Sequence, residues 1–115
     1  MKKVQQFYYD GNFHRGIQFK VTFCAHSKKE AAKILNISSY VMSNYVSVVP
    51  PNDKICIDNI GKKYTTFDSG ELWSAYPDLI RKLMSYEDMI KLIDDHRKKY
   101  KTSHDFWEAN YIKSK

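Results

Sequence analysis

At 115 residues the chain has the length of one domain, spanning 1–115, and its 43% apolar content is enough to bury a core without staples. No apolar run approaches the roughly 18 residues of a membrane span, and the start, "MKKVQQFYYDG", turns polar before a signal-peptide apolar region develops. The net charge of +6 is uneven: residues 1–63 carry ten Lys/Arg against four acids, whereas residues 64–115 carry nine of each sign, so the excess that favours an anionic partner lies in the first half.

In chain order, "VQQFYYDGNFHRGIQFKVTFCAH" reads as a β-hairpin. Asp10-Gly11-Asn12 is the expected turn, because these residues tolerate the positive φ angles of a tight reversal. Ile17, Phe19, Val21 and Phe23 alternate with wetter positions, which predicts one buried face. At Ser27 the period changes. "SKKE" is a capping box, with the Ser27 hydroxyl accepting from the Glu30 amide. Ala31, Ala32, Ile34 and Leu35 form the apolar face of a two-turn helix that Asn36 can end in the left-handed conformation. Ser38 caps a second short helix from Ser39 to about Val46.

The prolines of "VSVVPPNDK" stop that helix. "KICIDNIGKKYTTF" reads as a second hairpin, with Ile55 and Ile57 alternating and Asn59-Ile60-Gly61 at the turn. "DSGELW" reads as a loop, and Pro77 opens a helix to about Met84. Ser85 caps a longer helix with acids at its start, Arg97, Lys98 and Lys99 at its end, and Tyr86, Met89, Ile90, Ile93 and Tyr100 facing inward. Thr102 opens a last helical turn carrying Phe106, Trp107 and Tyr111. The fold class is α+β: an N-terminal hairpin, a central helix pair, a second hairpin and C-terminal helices.

Residues 27–45 resemble the helix-turn-helix superfamily, particularly its short excisionase-like and MerR-like versions. The shared pattern is Ala31-Ala32, Leu35, the turn residue Asn36, Ile37, and the apolar anchors Met42 and Tyr45. With the hairpin at 54–66 as a wing, the resemblance reaches about 40 residues. It implies a cytoplasmic DNA-binding protein active in transcription regulation that contacts duplex DNA through Lys28, Lys29, Lys33, Ser39, Tyr40, Ser43, Asn44 and the wing-tip pair Lys62 and Lys63. Asn44 suits adenine, and the lysines suit phosphates. A homodimer fits, since one such module contacts few bases. The second helix carries no lysine or arginine, which departs from the usual recognition helix. The chain is also similar to small bacteriophage proteins with a strand, a "SKKEAA" helix and a tyrosine-bearing second helix.

An alternative follows from that uncharged helix and from the aromatic residues, 15% of the chain: a protein-binding inhibitor or adaptor acting on a host complex, with "DFWEANY" as a docking segment. No enzyme, cofactor or metal is expected. Cys24, His26, Cys56 and His14 match no common zinc spacing, and "GKKY" lacks the other residues of a phosphate loop. Cys24 and Cys56 form no CxxC, so two free thiols are expected, with one disulfide between neighbouring strands left open. His96 and His104, set among charges, are expected at the surface.

Overall fold

The computed structural model describes residues 3–113 and the side chains through Asn110. Two long antiparallel strands, β1 (Gln5–His14) and β2 (Ile17–Ala25), form the N-terminal hairpin, followed by helices α1 (Lys28–Leu35) and α2 (Ser39–Tyr45). The chain then forms the edge strand β3 (Val46–Val49), helix α3 (Lys54–Asp58), strand β4 (Tyr64–Phe67), helix α4 (Gly70–Ala75), a 3-10 turn (Pro77–Leu79) and the two-residue strand β5 (Met84–Ser85). Helices α5 (Tyr86–Lys99) and α6 (Ser103–Lys113) close it. The strands make one antiparallel sheet in the order β3-β1-β2-β4-β5. The expected α+β class therefore holds, and no helix among the described residues is long and apolar enough to cross a membrane.

The alternation along β2 delivers Ile17, Phe19, Val21 and Phe23 to one sheet face, where all four are buried. Phe7 pairs with Phe23 across β1 and β2, the two rings stacking at 5.6 Å. Ala31, Met42, Leu72, Met89 and Ile93 cover this face from α1, α2, α4 and α5. Each large side chain so enclosed contributes about 1.5–3 kcal/mol relative to exposure. The opposite face presents Gln6, Tyr8, Thr22 and Cys24, and α3 covers part of it with Cys56.

The hairpin does not turn at Asp10-Gly11-Asn12. It turns at Arg15 and Gly16, whose φ angles of 50° and 79° match a two-residue type I′ reversal. Asp10 and Gly11 instead form a β-bulge between the Tyr9–Val21 and Asn12–Phe19 pairs. The Tyr9 ring folds over Gly11, where a Cβ would lie 2.6 Å from it, so a side chain at this position would have to displace that ring. At the true turn, His14 Nε2 and Arg15 Nε each stand 2.7 Å from Asp94 Oδ1, tying the hairpin tip to α5. His14 and Arg15, in that order, hold the Asp94 carboxyl below its usual pKa.

The second hairpin is also replaced. Lys54–Asp58 is a helix, in which Cys56 points inward while Ile55 and Ile57 stay exposed. Backbone amides of Cys56 and Ile57 both reach the Asp53 carbonyl at 3.0 Å, and Lys54 pairs with Asp58 one turn on. The Ile55/Ile57 alternation was a surface coincidence. "DSGELW" is likewise not a loop, since Ser69 accepts from the Glu71 amide and starts α4. The helix expected from Pro77 to Met84 ends after one 3-10 turn, because Arg81 adopts a left-handed φ of 67° and Met84–Ser85 pairs with β4.

Ser85 caps α5 as expected, its Oγ accepting from the Asp88 amide at 3.2 Å. Replacing it with alanine should lower stability by about 1 kcal/mol, read from the urea midpoint at unchanged m-value.

Candidate functional site

The α1–α2 pair is built by local rules. Ser27 Oγ accepts from the Glu30 amide at 3.1 Å, which starts α1 directly after β2. Asn36 ends it at φ 56°, ψ 50°, while the Ile37 amide reaches back to the Ala32 carbonyl at 3.1 Å. Ser38 Oγ then accepts from the Val41 amide at 3.2 Å and opens α2 at once. The small Ala31 is buried, and Met42 fills the space between the helices. Tyr45, the other expected apolar anchor, is 60% exposed and packs edge-on against the 68%-exposed Tyr40. Tyr45 is the last residue of α2, and the chain leaves the helix in extended conformation at Val46 to form β3.

Between the two helices lies an open groove of about 500 Å³. Lys28, Lys29 and Lys33 line it from α1, Ser39 and Ser43 from α2, and Ile37 and Met42 supply an apolar floor. None of the three lysines is ion-paired within the described residues, and Glu30 is the only acid between residues 27 and 52. Three uncompensated ammonium groups beside two hydroxyls are suited to holding an anion with several oxygens.

Five of the nine predicted contact residues therefore meet in one groove. Tyr40 and Asn44 lie on α2 but do not line it, and Asn44 Nδ2 donates to the Tyr40 carbonyl at 2.8 Å. Lys62 and Lys63 lie elsewhere, because the wing that should have carried them is α3 and the turn after it. Lys63 sits over the Tyr86 ring at 4.0 Å and Lys62 over Tyr64 at 5.5 Å. Both precede β4, whereas α2 leads into β3, three strand spacings or roughly 14 Å across the sheet.

The cysteine and histidine residues do not assemble either. His14 pairs with Ile17 at the hairpin tip and Cys24 with Gln6 at its base, so roughly 25 Å of strand separates them. Among the described residues no three His, Cys, Asp or Glu side chains are grouped to hold a metal. Cys24 and Cys56 are buried together as free thiols. Burial, then the charges of Cys24 and Asp53, push the Cys56 thiol up to about 12; burial and Asp53 also raise Cys24. Such thiols are poor nucleophiles. The folded protein should show essentially no reaction with Ellman's reagent at mildly alkaline pH, and both cysteines should react once urea is added.

One buried polar group escaped the sequence reading. His96 is 2% exposed, not a surface residue, and its Nε2 donates to Glu71 at 2.5 Å while its Nδ1 faces the Tyr76 hydroxyl at 3.3 Å. Arg97 Nη1 donates to the same Glu71 oxygen at 2.7 Å. The signal was present: Met89, Ile93, His96 and Arg97 fall at i, i+4, i+7 and i+8, the inward stripe of a helix. Phe106 of "DFWEANY" is buried against His96 and Tyr100, so that segment spends its first aromatic on the core. The Tyr111 side chain lies outside the described residues.

These features define a small α+β protein with a basic interhelical groove. No family model, curated protein or solved structure matches the chain.

Proposed function

We propose that this is a small DNA-binding regulatory protein that uses α1, the Asn36 turn and α2 as a helix-turn-helix-like unit. The observation that carries this reading is the convergence of Lys28, Lys29, Lys33, Ser39 and Ser43 on one groove free of acidic side chains. The lysines neutralise backbone phosphates and supply most of the affinity. The serine hydroxyls, with Tyr40 and the free oxygen of Asn44, are the groups that reach bases or sugars. Affinity rests on α1, and α2 adds contacts without charge. The role is binding, not catalysis.

The test is fluorescence anisotropy with a mixed-sequence duplex, titrated from low to moderate salt. Micromolar binding that weakens linearly in log salt supports the reading, and its slope counts the phosphates engaged. No binding at low salt overturns it. A second reading, a protein-binding inhibitor or adaptor, is favoured by one observation: Tyr40 and Tyr45 form an exposed aromatic pair on α2. Exposed tyrosine pairs suit protein partners better than phosphates. In that case a pull-down through the intact chain should lose its partner when Tyr40 is replaced by alanine and keep it when the α1 lysines are neutralised.

A further inference from the structure

On the sheet face away from α1 and α2 lies a second cleft, of about 430 Å³. Its floor is built from strand residues that face the same way: Tyr8 opposite Thr22, and Lys20 opposite Thr66. Asp53, Asp68, Trp73 and Arg81 complete its lining. The volume falls in the range of small-molecule sites.

Three observations mark this cleft as more than a surface fold. First, Asp53 is held in place from beneath. The fully buried Gln6 accepts the Asn52 and Asp53 amides on Oε1, at 2.9 and 3.1 Å, and its Nε2 donates to Asp53 Oδ2 at 2.6 Å. The Tyr8 hydroxyl, 3.3 Å from Asn52 Oδ1 and 3.4 Å from Asp53 Oδ2, shares its one proton between them, and among the described residues no hydrogen bond reaches Asp53 Oδ1. Second, the cations Lys20 and Arg81 and the acid Asp68 line the space with no ion pair among the described residues. Arg81 is kept in a left-handed conformation at φ 67°, a strained state that clusters at ligand sites in non-glycine residues. Third, Trp73 leaves 46% of its surface exposed at the rim, beside the cleft.

We propose that this cleft binds a small aromatic zwitterion of the amino-acid type. Two cations and two carboxylates balance within the lining, which selects a ligand carrying one charge of each sign over a plain anion or cation. The ligand ammonium donates to Asp53 Oδ1, already oriented by Gln6 and Tyr8. Its carboxylate accepts from Lys20, which stands two residues, roughly 7 Å, along β2 from Thr22, and from Arg81. Its ring lies against Trp73. This site stands apart from the α1–α2 groove and does not depend on DNA binding.

The test is isothermal titration calorimetry of the full chain with L-phenylalanine and L-tryptophan, and with their N-acetyl and amide derivatives. At least one free amino acid should bind with one-to-one stoichiometry. Acetylation, which removes the ammonium, and amidation, which removes the carboxylate, should each weaken binding about tenfold or more. In the Asp53→Asn protein, acetylation should no longer matter, and in Lys20→Met amidation should matter less. The ligand series alone decides the question if a variant fails to fold. Absence of saturable heat up to about 10 mM for both amino acids, or equal affinity for the free and blocked forms, overturns the proposal.

Discussion

Replacing Arg97 with methionine is expected to cost about 3–5 kcal/mol of unfolding free energy, because it breaks a buried ion pair from one side. The guanidinium is 7% exposed and works at four places at once. It donates to Glu71 Oε2 at 2.7 Å, to the Ser103 hydroxyl at 3.0 Å, to the Arg15 carbonyl at 3.2 Å and to the Tyr100 carbonyl at 3.3 Å. It thereby joins the hairpin tip, α4 and the α5–α6 connection. Methionine fills most of the volume but takes away the one permanent cation paired with the buried Glu71 carboxylate, leaving it only the hydrogen bonds of His96 and Ser103, and that poorly compensated buried charge is what makes the loss large. Removing both charges should hurt less: the Glu71→Leu/Arg97→Met double variant should recover much of the deficit in urea unfolding. A double variant as unstable as the sum of its singles would show that the pair does not act as a unit.

The same network sets a pH dependence. Burial raises the Glu71 pKa, but hydrogen bonds from Arg97, Ser103 and His96 outweigh it and hold the carboxyl below its ordinary 4.5. A depressed folded-state pKa means the ionised form is the one the fold prefers, so its contribution is complete above about pH 4.5 and disappears as pH falls through the lower folded value. The stability gap between the natural chain and Glu71→Gln should therefore be constant near neutrality and narrow below that pH. A gap that stays constant into acid would mean that Glu71 is not the group being titrated.

The parts of the fold that could be read from sequence are those fixed within a few residues. The caps at Ser27, Ser38 and Ser85 and the left-handed Asn36 each depend on one side chain meeting an amide three residues on, or on one φ angle. The β2 alternation was legible because a two-residue period admits one burial pattern. What failed depends on distant partners. Asp10-Gly11 has turn chemistry, yet pairing of β1 with β3 at Gln6–Val49 through Tyr9–Val46 and with β2 on its other side carries the strand through to His14. Ile55 and Ile57 suggested a strand, but no neighbour remains for one there, and the helix that forms needs only Cys56 against Cys24. The residues of the interhelical groove were legible because its walls are 15 residues apart at most, from Lys28 to Ser43. The cleft on the other face was not, since Tyr8, Lys20, Asp53, Trp73 and Arg81 come from five separate parts of the chain.

Reversing the charge of Lys28, Lys29 and Lys33 together is expected to weaken duplex binding by roughly 100-fold or more at low salt, the largest functional effect the groove predicts. Each neutralised phosphate releases condensed counterions and adds about 0.9 to the slope of log affinity against log salt, so replacing all three with glutamine should reduce that slope by about 2.7. The variants are informative because the fold should tolerate them: the three side chains are exposed and have no ion pair among the described residues, and such changes usually alter stability by no more than about 0.5 kcal/mol. An unchanged urea midpoint with lost binding would separate recognition from folding. Neutralising Lys62 and Lys63 is the control, two charges against three. They lie in the same basic half but stand over the Tyr64 and Tyr86 rings beside β4, away from the groove. If α1 carries the phosphate contacts, this pair should change the slope little. A slope that falls equally per lysine in both sets, by about 2.7 for the three and about 1.8 for the pair, would mean that any part of the basic half attracts DNA, and the groove would then have no special claim to it.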